Sequence, residues 1–337
     1  MKAIQFLGMT AFMAAMLTGC SNDSDLAHSN FPDDNIIRVT AGVNGAVTRA
    51  DPMGTELNNK FSLTVVNKDT ENEYNYKYTH ENKIFQKIGT GTEWICNDIL
   101  LWQDAETPVD VAALAPVTDD DMIFFGILNY KNQFQTLQYN ITADQKTQKP
   151  ENDLLYYYKS NLVPKDALNS DGKLDIQFNH AFSMIDIIVT LGTEYSQQEN
   201  PIKEVIVGGS KLKATIDVAN SEGNVAYAST EGENPETDII TTPGTFTKAT
   251  TDEEKSKAAY SCILIPQKID ANKFKVTLKT SSKTYVWTSP SAITLETGHK
   301  YTLALTMGKD KLTAQKGNIS AVSWTEGTGS DSTLGTK

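Results

Sequence analysis

Short runs of alternating, β-branched or aromatic residues fill this chain, and no segment of helical length sustains a 3.6-residue apolar period. The clearest runs are 61–66, 74–78, 123–128, 174–178, 184–191, 202–207, 214–218, 262–265, 274–280, 284–288 and 301–307. Turn chemistry punctuates them at Gly89-Thr90-Gly91, Asp171-Gly172, Gly208-Gly209 and Thr297-Gly298. Many short strands at this spacing predict an all-β chain built as sandwiches or barrels. One exception is expected: 252–259 (DEEKSKAA) has the composition of a short helix. No repeat of solenoid length is evident.

The first residues follow a different logic. Lys2 precedes an apolar stretch at 4–17, interrupted by Gln5 and Thr10. A bilayer span needs about 20 apolar residues, so this stretch is too short to cross and fits a secretory leader. It ends in Leu17-Thr18-Gly19-Cys20, which resembles the lipobox of bacterial lipoproteins. That resemblance implies a signal peptide at 1–19 and a lipid on Cys20. An ordinary secretory signal with a chance cysteine is the alternative. No later stretch is apolar enough for a spanning helix, so the lipid is the expected attachment to a membrane. The next residues, SNDSDLAHSNFPDD, are polar and acidic and read as a tether.

Residues 36–44 read IIRVTAGVN. Ile37, Val39, Ala41 and Val43 share one face, and Arg38, Thr40, Gly42 and Asn44 the other, the pattern of a half-buried strand. Gly45 to Pro52 then read as an exposed loop. Arginine usage adds a constraint. Of 30 basic residues only Arg38 and Arg49 are arginine, so an arginine-specific protease can cut at these two places and nowhere in the body.

Formal net charge is −12, which argues against nucleic acid as a partner. Cys96 and Cys262 lie far apart and are expected as separate thiols rather than a pair. His28, His80, His180 and His299 occur singly, with no HExxH motif and no paired His/Cys cluster at metal spacing. There is no GxSxG elbow and no Walker A loop. GTGTEW at 89–94 lacks a third glycine and a following helix, so it reads as a hairpin turn. The Asp119–Asp121 run reads as a solvated loop. Trp94, Trp102, Tyr156, Tyr157 and Tyr158 read as packing residues before they read as a sugar platform. No catalytic residue, cofactor site or metal site is therefore expected.

Several segments in order resemble the fimbrillin family, the type V pilins of Bacteroidales-type bacteria. They are 92–116 (TEWICNDILLWQDAETPVDVAALAP), Asp153-Leu154-Leu155, 174–191 (LDIQFNHAFSMIDIIVTL), 263–267 (ILIPQ), 298–310 (GHKYTLALTMGKD) and the strand ending in Trp324. The resemblance implies two tandem transthyretin-like β-sandwich domains. The expected organisation is a signal peptide at 1–19, a tether and removable strand at 20–49, sandwiches at 50–171 and 172–325, and a tail at 326–337. It also implies a lipid-anchored precursor in the outer membrane, cut between Arg49 and Ala50 by an Arg-specific protease. The strand carrying Ile37, Val39, Ala41 and Val43 would then leave, and other pilin subunits would fill its place head to tail. Ile319, Val322 and Trp324 are the candidate donor strand, although the polar tail beyond them departs from a donating stalk subunit. The competing reading is a permanently anchored surface lipoprotein, a tip or accessory adhesin included, that binds glycan or host protein.

Overall fold

The computed structural model describes residues 30–44, 57, 60–68, 77–87, 93–117, 128, 134–147, 149–219, 226–228, 234–324 and 332–333. The chain is all-β, as its sequence pattern requires, with one four-residue α-helix at Pro164–Ala167 and a 3-10 turn at Pro150–Asn152 among the described residues. The strands are β1 Val39–Val43, β2 Lys60–Asn67, β3 His80–Lys87, β4 Trp94–Cys96, β5 Val109–Ala115, β6 Thr136–Asn140, β7 Leu155–Leu162 and β8 Leu174–His180. They continue as β9 Ser183–Leu191, β10 Ile202–Ser210, β11 Lys213–Asp217, β12 Ala226–Ala228, β13 Thr237–Ile240, β14 Thr242–Thr247 and β15 Lys257–Leu264. The last are β16 Gln267–Ile269, β17 Lys275–Thr280, β18 Thr284–Thr288, β19 Ile293–Leu295, β20 His299–Met307, β21 Leu312–Ser323 and β22 Ser332–Thr333.

The first sheet has seven strands in the order β1-β8-β7-β5-β2-β3-β4. Its central strand β5 is buried on both faces, because Val109, Val111, Ala113 and Ala115 point into one core while Ala112 and Leu114 point into another. Small side chains at 112, 113 and 115 let layers pack on either side of it. The first core is aromatic. Phe61 stacks on Phe85 at 5.4 Å and meets Trp94 and Phe178 edge-on at 4.8 and 5.5 Å.

The rest of the chain forms a six-stranded sheet (β14-β15-β9-β20-β21-β22), a four-stranded sheet (β13-β10-β17-β18), a three-stranded sheet (β12-β11-β6) and the pair β16-β19. The second core lies among them and reaches back to the outward face of the first sheet. Segment 136–140 crosses to this side, where β6 pairs with β11.

Three placements differ from the sequence reading. Strand β8 belongs to the first sheet, bonded to β7 and β1, so that sheet runs past the Asp171-Gly172 turn, where the expected division falls, to His180. The turn remains a turn, with Gly172 at φ +69°, but it returns the chain to the same sheet. The helical composition of 252–259 is overridden by tertiary pairing, because Lys257 to Leu264 forms an antiparallel ladder with β9. Gly208-Gly209 falls inside β10 rather than between strands; Gly209 adopts φ +92° where the ladder to β13 shifts register. Residues 74–76 and 123–127 of two expected strands lie outside the described residues, while Lys77 and Tyr78 form a turn rather than a strand. Cys96 and Cys262 are unpaired.

Candidate functional site

The site with the most distinctive construction is the edge of the first sheet where β1 lies on β8. Alternation along 37–43 gives β1 one apolar face. Ile37 and Val39 are buried, and Ala41 and Val43 are half-buried against the aromatic core. The pairing is parallel, from Val39↔Leu174 to Val43↔Phe178. At one end Leu174 N–H donates to the Arg38 carbonyl at 2.8 Å, and at the other Asn44 N–H donates to the Phe178 carbonyl at 2.8 Å. Side chains repeat the register on the outer face: Thr40 Oγ1 donates to Asp175 Oδ1 at 2.8 Å, and Asn44 Nδ2 to Asn179 Oδ1 at 2.9 Å. Beside the strand on β8, its partners Leu174, Ile176 and Phe178 are almost fully buried and form the apolar seat it lies against.

On its other side β1 is bonded to no strand among the described residues. A groove of 480 Å³ separates it from β4, with Phe85, Trp94, Ile95 and Ile99 among its walls. Strand β1 therefore closes one edge of the first core while remaining an edge itself.

The start of β1 is fixed by charge. Asp34 sits in a turn in which its Oδ1 accepts the Ile36 N–H at 3.1 Å, and the adjoining Asn35 takes φ +56°. Both carboxylate oxygens of Asp34 accept from the Arg38 guanidinium, at 2.9 and 2.6 Å. This two-pronged contact, with the Ile36 amide adding to it, holds the Asp34 carboxyl down at about 2. No sequence motif pointed to Asp34; an acid four residues before an arginine was the available signal.

The candidate donor segment lies elsewhere. Ile319 and Val322 are in β21, paired with Leu303 and Lys300 of β20. Ile319 and Trp324 are buried and Val322 is half-buried. Trp324 N–H donates to the Gly298 carbonyl at 2.7 Å, and its ring lies flat on His180 at 3.7 Å between centroids, 2° from parallel. His180 Nδ1 in turn meets both carboxylate oxygens of Asp153, at 2.9 and 3.1 Å. The segments Asp153-Leu154-Leu155 and Phe178-Asn179-His180, noted separately in the sequence, thus meet the closing tryptophan at one seam. Cys20, Arg49 and Ala50 lie outside the described residues. Among the described residues no group of three or more His, Cys, Asp or Glu is placed to hold a metal ion.

Comparison with known proteins brings these pieces together. A family model described as fimbrillin-like matches residues 48–324. The chain belongs to the fimbrillin-like family. Its fold is shared with other solved structures. A candidate cell adhesion protein from Bacteroides ovatus aligns at TM-score 0.60 and 17% identity, over 84% of this chain and 96% of that one. A second from Bacteroides uniformis aligns at TM-score 0.56 and 15% identity, over 87% and 99%. A fimbrial protein from Bacteroides vulgatus aligns at TM-score 0.53 and 14% identity, over 85% and 99%. At these identities the likeness is one of fold. No curated protein matches this fimbrillin-like chain.

Proposed function

We propose that this fimbrillin-like chain is a structural subunit of a cell-surface fimbrium, made as a lipoprotein precursor and supporting adhesion. The lipid on Cys20 delivers it to the outer membrane, and an Arg-specific protease cuts between Arg49 and Ala50. The cut frees β1 from the body, and a strand from another subunit takes its place on β8. The observation that carries this reading is the seat itself. Among the described residues β1 is an edge strand, joined to the sheet on one side, where its apolar face continues the row of Leu174, Ile176 and Phe178 on β8. Its departure leaves that row and the β8 backbone groups unpaired, and a donated strand satisfies both. The family-matched span supports the same division, beginning at residue 48, next to the proposed cut, and including Trp324. Head-to-tail donation does not close on itself, so it builds a filament. We read 50–171 and 172–325 as tandem transthyretin-like units, with β8 as the strand the first borrows from the second.

Arg49→Ala tests the reading. The expected product is a full-length, lipid-bound protein that forms no filaments; normal filaments from this variant would overturn it.

A second reading has its own observation. Ile319 and Trp324 are committed to the chain's own core. That favours a tip or accessory adhesin that accepts a strand without giving this one away. Cross-linking between Val322 and a neighbour's β8 in native filaments separates the two: a subunit-to-subunit product marks a donor, and an intrachain product alone marks an accessory subunit.

A further inference from the structure

We propose that Arg38 is a second, latent processing site, closed while β1 lies on β8 and opened when β1 leaves. This rests on the cleavage after Arg49 proposed above. The Arg38 side chain is 41% exposed, so its charge alone does not hide it. Its backbone does. Ile37 N–H donates to the Leu100 carbonyl at 2.9 Å, Leu174 N–H donates to the Arg38 carbonyl at 2.8 Å, and Trp102 N–H donates to the Asn35 carbonyl at 2.9 Å. A protease binds its substrate extended and pairs with these same backbone groups. The bond to be cut, Arg38–Val39, runs between two buried anchors, Ile37 and Val39. The guanidinium is already held in the Asp34 fork, the geometry an acidic specificity pocket would have to offer in exchange. Cutting at Arg38 therefore requires the segment to open first, and its rate follows that opening.

The first cut changes the opening equilibrium. Before it, β1 is joined to the body at both the chain and the sheet, so a strand that lifts off is returned at high effective concentration. After it, the segment is held by the ladder, the backbone bonds from Ile37 and to Asn35, and the burial of its apolar face, with no chain link to the body to return it once it lifts. Once β1 is off, Arg38 is an ordinary arginine in an extended chain. Hydrolysis adds water across the Arg38–Val39 amide, leaving a carboxylate on Arg38 and an ammonium on Val39. It releases residues 39–49, VTAGVNGAVTR. Ile37 stays with the lipidated remnant and Val39 departs with the peptide, so neither fragment retains both buried anchors. The second cut makes loss of the cap irreversible and clears the seat for an incoming strand.

Two arginines make the test clean, since an arginine-specific endoprotease can report only these two bonds. The full-length chain and Arg49→Lys are digested in parallel, and fragments are followed in time by mass spectrometry. In the unsubstituted chain the Arg49 bond is cut first and the peptide Val39–Arg49 appears afterwards. In Arg49→Lys the Arg38 bond is cut at least about tenfold more slowly than in the unsubstituted chain, because closing outpaces cleavage. Equal rates at Arg38 in the two proteins would overturn the proposal. So would an intact Arg38 bond in N-terminal fragments that have separated from the body. In both cases the processing at Arg49 would stand. Resistance of the Arg49 bond in the unsubstituted folded chain would instead remove the reading on which the proposal rests.

Discussion

At the scale of single residues, Phe178 joins the core to the seat. It lies on β8 opposite Val43, and its ring meets that of Phe61 in a T-shaped contact at 5.5 Å. Phe178→Ala is expected to cost about 3–5 kcal/mol, the range for a fully buried aromatic, measured by denaturant unfolding. A loss below about 1 kcal/mol would mean that the seat is soft. Asp34 gives a second expectation. Its carboxyl is held at about 2 against an ordinary 3.8, chiefly by the hydrogen bonds from Arg38. A lowered acid stabilises the fold above its ordinary value, and the contribution is lost as pH falls through the folded value. The stabilisation should therefore be full above about pH 4 and fade between about pH 4 and 2, while the fork itself opens only as the carboxyl protonates around its folded value of about 2. A carbon-detected NMR titration should place the Asp34 midpoint near the low end, and Arg38→Gln should return it towards 3.8. The alternation of Ile37, Val39, Ala41 and Val43 was legible because a half-buried strand writes its face into the sequence. The stacking of Trp324 on His180 was not, since 144 residues separate them and no local pattern links the two.

At the scale of elements, most strands announced themselves by period or β-branching, and β18 was read with its observed bounds. β5 followed a different rule. Its VDVAALA is buried on both faces, which erases alternation and leaves a short apolar run that periodicity cannot assign. The parallel partner of β1 was equally silent, because edge pairing is decided by which apolar row lies open and not by either strand alone. That dependence can be tested directly. A chain beginning at Ala50 lacks β1 and should bind a hydrophobic dye through Leu174, Ile176 and Phe178. Adding a peptide of residues 36–44 should suppress the dye signal and raise Tm. The same peptide with Val39→Asp and Ala41→Asp should do neither; rescue by this peptide would show that the seat does not read the apolar face.

At the scale of the whole molecule, the two cores are not independent. Val66, Ala112, Leu114 and Tyr156 come from the first sheet yet pack in the second core, beside Leu137, Tyr139 and Phe182. Asp153, His180 and Trp324 add a polar and aromatic seam between them. Calorimetry should show a single unfolding transition with matching calorimetric and van't Hoff enthalpies. Two resolved transitions would show that the shared layer contributes little. The expected division between two units falls at the Asp171-Gly172 turn, and the turn chemistry there is real. What the sequence could not display is that β8, just beyond the turn, completes the sheet before it.

The parallel ladder between β9 and β20 has a mechanical consequence. It runs without interruption from Lys300↔Met184 to Met307↔Leu191 at the centre of the six-stranded sheet. Tension applied between the start of β9 and the end of β20 pulls these two strands in opposite directions along their own length. All the rungs then share the strain together instead of parting one at a time, as a zip would. Under such tension the joint would part only when many ladder hydrogen bonds break at once, a resistance set by the direction of pull and separate from equilibrium stability.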